Sequence, residues 1–140
     1  QSVKFNLFSK NNSTIFEGSH NGYARKFNKI VKRTLFIDND NNKIRGEDAI
    51  ISLQNNNDRI IYHIRFHLVD GISYNFTNSK KNVILRTKSK NIWIFKSDVE
   101  LVIEDSIFVD NNKTIPTKQI VIKGVINNIK QTRKWSLEKQ

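Results

Sequence analysis

Apolar and polar residues alternate with period two in short runs along most of this 140-residue chain. The runs recur about every ten residues and are separated by clusters of Asn, Asp, Gly, Ser or Lys. Alternation sends successive side chains to opposite faces of an extended backbone, whereas a helix would need a period of 3.6. The pattern predicts eleven strands, near residues 3–8, 14–19, 29–37, 44–53, 60–69, 72–77, 82–87, 92–96, 99–109, 119–126 and 130–137. Short strands at this spacing point to an all-β fold, an antiparallel β-sandwich of roughly ten to eleven strands forming one domain over residues 1–140.

Three segments sharpen the picture. Asp38-Asn39-Asp40-Asn41-Asn42 lies between two apolar runs and reads as a hairpin loop, because Asn and Asp tolerate positive φ and bond their own backbone. Ile120-Val121-Ile122-Lys123-Gly124-Val125-Ile126 is apolar on both faces, as in a strand buried between two sheets. Pro116, the lone proline, is expected in a polar connection where no ladder hydrogen bond is lost.

Composition supports strands. Ile, Val and Thr total 36 residues, against 9 for Ala, Leu and Met, so β-branched residues far outnumber the strong helix formers. With no cysteine, neither a disulfide nor a thiolate metal site supplements the core. No apolar run exceeds Ile92-Trp93-Ile94-Phe95, which excludes a membrane-spanning helix. The chain also lacks methionine and is expected to begin inside a longer gene product or after a processed segment.

The net charge of +11 is spread along the chain, not gathered in a tail. Arg25, Lys26, Lys29, Lys32 and Arg33 have no acid among them, nor do Lys80, Lys81, Arg86, Lys88, Lys90 and Lys96. Such runs suit either a solvated face or an anionic partner, acidic polysaccharide or nucleic acid. The aromatics alternate with aliphatics as core residues do, and no stacking set of the kind that binds RNA stands out, which makes nucleic acid the weaker reading.

Little of the usual catalytic equipment is present. There is no Gly-x-Ser-x-Gly elbow, and the five glycines are scattered singly, so no loop cradles a phosphate. His63 and His67 would be about 13 Å apart along a strand, too far for one metal ion. Asp38-x-Asp40-x-Asn42 has part of a calcium-loop spacing, but Ala49 stands where a glutamate is required. Neither a metal nor a cofactor is therefore expected. The richest stretch is Gly18-Ser19-His20-Asn21-Gly22-Tyr23-Ala24-Arg25, with an imidazole, a phenol and a guanidinium around a turn glycine. These groups suit a carboxylated sugar: Arg pairs with the carboxylate, while Tyr and His exchange protons. A structural turn accounts for the same residues. Arg65 and His67, two apart on one strand face, form a second polar contact point or simply face solvent.

The order of these motifs resembles the heparinase II/III-like polysaccharide lyases, in particular their C-terminal β-sandwich region. The resemblance runs through Glu17-Gly18-Ser19-His20-Asn21-Gly22-Tyr23, Arg33-x-Leu35, Gly46-Glu47-Asp48 and Ile64-Arg65-Phe66-His67-Leu68. It continues through Trp93-x-Phe95, Glu104-Asp105-Ser106-Ile107-Phe108, Gln119-Ile120-Val121 and Lys134-Trp135-Ser136-Leu137. It implies a periplasmic or secreted parent enzyme with an N-terminal α/α toroid followed by this sandwich, cleaving uronate-containing polysaccharides by β-elimination. The family's H-x-H-x-D-like stretch does not occur here, and Val31 stands where relatives often carry histidine. The resemblance leaves His20 and Tyr23 as catalytic candidates and Arg25, Arg33, Arg65 and His67 as substrate-binding candidates. It makes the fragment a support for a cleft built mainly elsewhere, inactive alone. The alternative is a stand-alone basic module that binds anionic glycan or nucleic acid without chemistry.

Overall fold

Hairpins dominate the chain path. A computed structural model describes residues 3–10, 13–20, 29–52, 60–126 and 130–140, with side chains described at 30–52, 61–126 and 130–140. Every regular element among them is a strand: β1 (Val3–Lys10), β2 (Ser13–His20), β3 (Lys29–Asp38), β4 (Lys43–Ser52), β5 (Ile60–His67), β6 (Ser73–Phe76), β7 (Asn82–Arg86), β8 (Ile92–Ser97), β9 (Leu101–Asp110), β10 (Lys113–Ile126) and β11 (Lys130–Lys139). The predicted all-β class agrees with this order, and so do the predicted strand positions apart from the start of β10.

Eight strands form one sheet in the order β1-β2-β3-β4-β11-β8-β7-β6, and three form a second, β5-β10-β9. All neighbours run antiparallel. The final strand, β11, closes the large sheet by inserting between β4 and β8. The hairpin joining β3 to β4 turns at the predicted place. Asp38 Oδ1 accepts from the amides of Asp40 and Asn41 at 3.1 and 3.2 Å, and Asn42 takes the left-handed conformation at φ 48°.

The core fills the space between the sheets, with Val83, Leu85, Phe95 and Trp135 from the large sheet meeting Leu101, Ile120 and Ile122 from the small one. Each such side chain contributes roughly 2 kcal/mol by leaving water. Ile120 and Ile122 face the large sheet, while Val121, equally buried, lies on the outer face between Arg65 and Val102. The expectation of a strand covered by a sheet on both faces is thus met on one face only among the described residues.

Pro116 departs from its expected place. It lies within β10, opposite Ile107 of β9, and the strand begins at Lys113, six residues before the predicted Gln119. Pairing of β10 with β5 starts only at Gln119, so Pro116 is flanked by β9 alone. A position with a neighbour on one side tolerates the missing donor.

Candidate functional site

At the heart of the sandwich a row of paired residues runs across β3, β4 and β11. The ladder sets Arg33 opposite Asp48 and Asp48 opposite Arg133, with Leu35, Gly46 and Trp135 in the next row on the same face. Arg33 grips Asp48 with two donors, Nε to Oδ1 at 2.7 Å and Nη2 to Oδ2 at 3.0 Å. Trp135 Nε1 donates to Asp48 Oδ2 at 3.1 Å. Asp48 is 1% exposed, and three donors satisfy its buried carboxyl oxygens. Gly46 makes room for the indole: a Cβ there would stand 2.2 Å from two Trp135 ring carbons.

The Arg33 guanidinium also covers the rings of Phe66 and Trp135, at 5.4 and 5.6 Å from their centroids. Phe66, Trp135 and Phe95 pack together, with Phe66 edge-on to Trp135 at 4.7 Å and Phe95 stacked on it at 5.7 Å. Arg33 thus spans from a buried carboxylate to an aromatic cluster, with 39% of its side chain still exposed at the rim. Beside it, Arg133 Nε donates to the Tyr62 hydroxyl at 2.8 Å, and Gly124 leaves space for that ring.

A second polar cluster occupies the outer face of the small sheet. Arg65 Nη1 donates to Glu104 Oε1 at 2.9 Å, and Lys123 Nζ approaches Glu104 Oε2 at 2.8 Å. Hydrogen bonds from Lys123 and then Arg65 hold the Glu104 carboxyl down to about 2. His67 Nδ1 shares a 2.7 Å hydrogen bond with the Ser106 hydroxyl. Among the described residues no group of three or more histidines and carboxylates could hold a metal ion.

The structure separates the sequence candidates. Arg65 and His67 do share a face, but Phe66, on the opposite face of β5, is the residue that meets Arg33. The small sheet therefore lies between Arg33 and the Arg65–His67 pair. His20 ends β2, its backbone paired with Val31, and its side chain lies outside the described residues, as do Tyr23 and Arg25 entirely. Sequence reasoning missed the roles of Asp48 and Trp135. Both lie within the segments that carry the family resemblance, and so do Arg33, Phe66 and Phe95.

Comparison with known proteins follows the same lines. The family model described as "Heparinase II/III-like, C-terminal" matches residues 2–136. No curated protein matches by sequence. Among solved structures, the heparan sulfate lyase HepC from Pedobacter heparinus superposes on 98% of this chain with a TM-score of 0.81 at 14% identity. The heparinase III–BT4657 gene product does so over 99% with a TM-score of 0.79 at 7% identity, and another heparinase III over 99% with 0.71 at 14%. This chain spans 21% of the length of each. With the family model spanning residues 2–136, nearly the whole chain, the chain belongs to the heparinase II/III-like family and corresponds to its C-terminal domain.

Proposed function

We propose that this domain is one wall of the substrate cleft in a lyase that cleaves uronate-containing polysaccharides by β-elimination. The observation that carries the reading is the superposition of nearly the whole chain on about a fifth of a heparan sulfate lyase, at a TM-score of 0.81. In that chemistry the uronate carboxylate is neutralised, a base removes the C5 proton, and an acid protonates the departing glycosidic oxygen. A rigid sandwich suits the supporting part, since groups held on strands keep their positions better than groups on loops. Arg33 at the rim, with His20, Tyr23 and Arg25 nearby in sequence, supplies candidate contacts for the carboxylate. The base and acid belong chiefly to an N-terminal α/α toroid of the same parent. Such polymers lie outside the cell, so the parent is placed in the periplasm or beyond.

The test is to express the complete gene product and incubate it with heparan sulfate, hyaluronan and alginate. Formation of the unsaturated product, followed by ultraviolet absorbance, supports the reading. Tight binding to these polymers with no absorbance change would favour the binding module instead.

A further inference from the structure

We infer that the outer face of the large sheet carries a second binding site for an anionic sugar, built around Arg45 and Lys96 and separate from the inter-sheet rim where Arg33 lies. The ladder aligns Phe36, Arg45, Ser136 and Lys96 in one row across β3, β4, β11 and β8. Residues paired across antiparallel strands share a face. This row alternates with Leu35, Gly46 and Trp135, which face the core, and so it faces outward. A cavity of about 360 Å³ opens over it, bounded further by Lys43 and Lys134.

The cations of this groove are not equivalent. Lys43 approaches Glu138 at 3.6 Å, and Lys134 reaches Glu47 at 4.0 Å. Asp98, also at the groove, is occupied by Arg133 at 3.5 Å and by the Lys134 amide at 3.2 Å. Arg45 and Lys96 have no carboxylate partner among the described residues. Arg45 is held instead by the Phe36 ring, its guanidinium carbon 5.4 Å from the ring centroid. This ring contact occupies no carboxylate or carbonyl acceptor, and the Arg45 guanidinium makes no hydrogen bond to another described residue, which leaves its donors for a planar anion. It also reduces the freedom that Arg45 would lose on binding.

Arg45 and Lys96 are two strands apart, about 10 Å, with the Ser136 hydroxyl between them. A ligand with two separated negative groups and hydroxyls between them, as in a disaccharide of uronate and sulfated hexosamine, matches that layout. Choosing a sugar over nucleic acid rests on the lyase reading, and also on the single aromatic ring: single-stranded nucleic acid is tracked by successive stacking platforms.

A heparin-derived tetrasaccharide is titrated into the 140-residue chain by calorimetry at low and high salt. Arg45→Ser with Lys96→Ser is expected to weaken binding at least tenfold with an unchanged melting temperature. Arg45→Lys should fall between, keeping charge but losing the fork. The control Lys90→Asn with Lys113→Ser removes as much charge elsewhere and should change affinity less than twofold. Equal losses in both double variants, or none in the first, would overturn the site. An oligodeoxynucleotide of equal charge that binds as tightly as the tetrasaccharide, and equally through Arg45 and Lys96, would overturn its assignment to sugars. Failure of the parent to make unsaturated product, with Arg45-dependent binding intact, would remove the lyase reading and leave the site standing.

Discussion

Arg33 and Asp48 stand opposite each other on adjacent strands and form a two-point ion pair whose carboxylate is almost fully buried while its guanidinium reaches the rim. Removing one member of a buried pair leaves an uncompensated group, at a cost of about 3 kcal/mol or more. Asp48→Ala also strips the Trp135 N–H of its acceptor. The melting temperature should fall by roughly 10 °C in a chain of this size. Replacing both residues, Arg33→Met with Asp48→Leu, should recover the part of that loss due to the unpaired charge, while the Trp135 N–H lacks its acceptor in both variants. A double variant no more stable than Asp48→Ala would show that the pair is not the unit that matters.

Much of the fold was legible because strands with one buried face must alternate, and ten of the eleven strands begin within two residues of their predicted starts. The exception is β10, whose first residues, Lys113-Thr114-Ile115-Pro116-Thr117-Lys118, are polar and interrupted by proline. Their pairing comes from β9, a partner that local pattern does not name. The site was less legible for the same reason. Asp48 and Trp135 are 87 residues apart, and only the insertion of β11 beside β4 makes them neighbours. Arg33 reads from sequence as a substrate-binding candidate because it belongs to a basic run and to a segment that carries the family resemblance. In the fold, two of its donors are held by Asp48 on the neighbouring strand, another partner that local pattern does not name.

Gly46 is a glycine for reasons of space. A methyl group there would meet the Trp135 ring at 2.2 Å, and the indole is boxed in by Phe66 and Phe95. Gly46→Ala should therefore cost about 1–3 kcal/mol by overpacking and alter the near-ultraviolet circular dichroism of tryptophan. A Gly46→Ala protein with unchanged melting and an unchanged aromatic spectrum would mean the indole has room to move.

Acid should weaken the outer cluster of the small sheet in a defined window. The Glu104 carboxyl is held at about 2, below its ordinary 4.5, so the folded state favours its ionised form. The stabilisation is full above about 4.5 and is lost as pH falls toward 2, where both folded and unfolded states bind the proton. Glu104→Gln should thus be less stable than the wild type at pH 7 and converge with it near pH 2. Urea unfolding at intervals between those values measures the difference. A gap that stays constant down to pH 2 would assign the effect to shape, not to charge.

The chain by itself should not cleave polysaccharide, even if its parent does. Elimination requires a base, an acid and a carboxylate-neutralising group held together, and positioning supplies a large part of the rate. On the proposed reading this chain is one wall of the cleft, and one wall cannot provide it. Incubating the 140-residue chain with heparan sulfate and alginate should therefore give no rise in ultraviolet absorbance, while the complete gene product does. In that complete protein, His20→Ala and Tyr23→Phe separate two roles. If these residues touch substrate, turnover falls by about 10²-fold or more with melting unchanged, the size expected for a lost acid–base group. If they belong to a structural turn, melting falls and turnover of the folded fraction holds. Robust cleavage by the isolated chain would instead locate base, acid and neutralising group within these residues, and the division of labour between the two domains would be wrong.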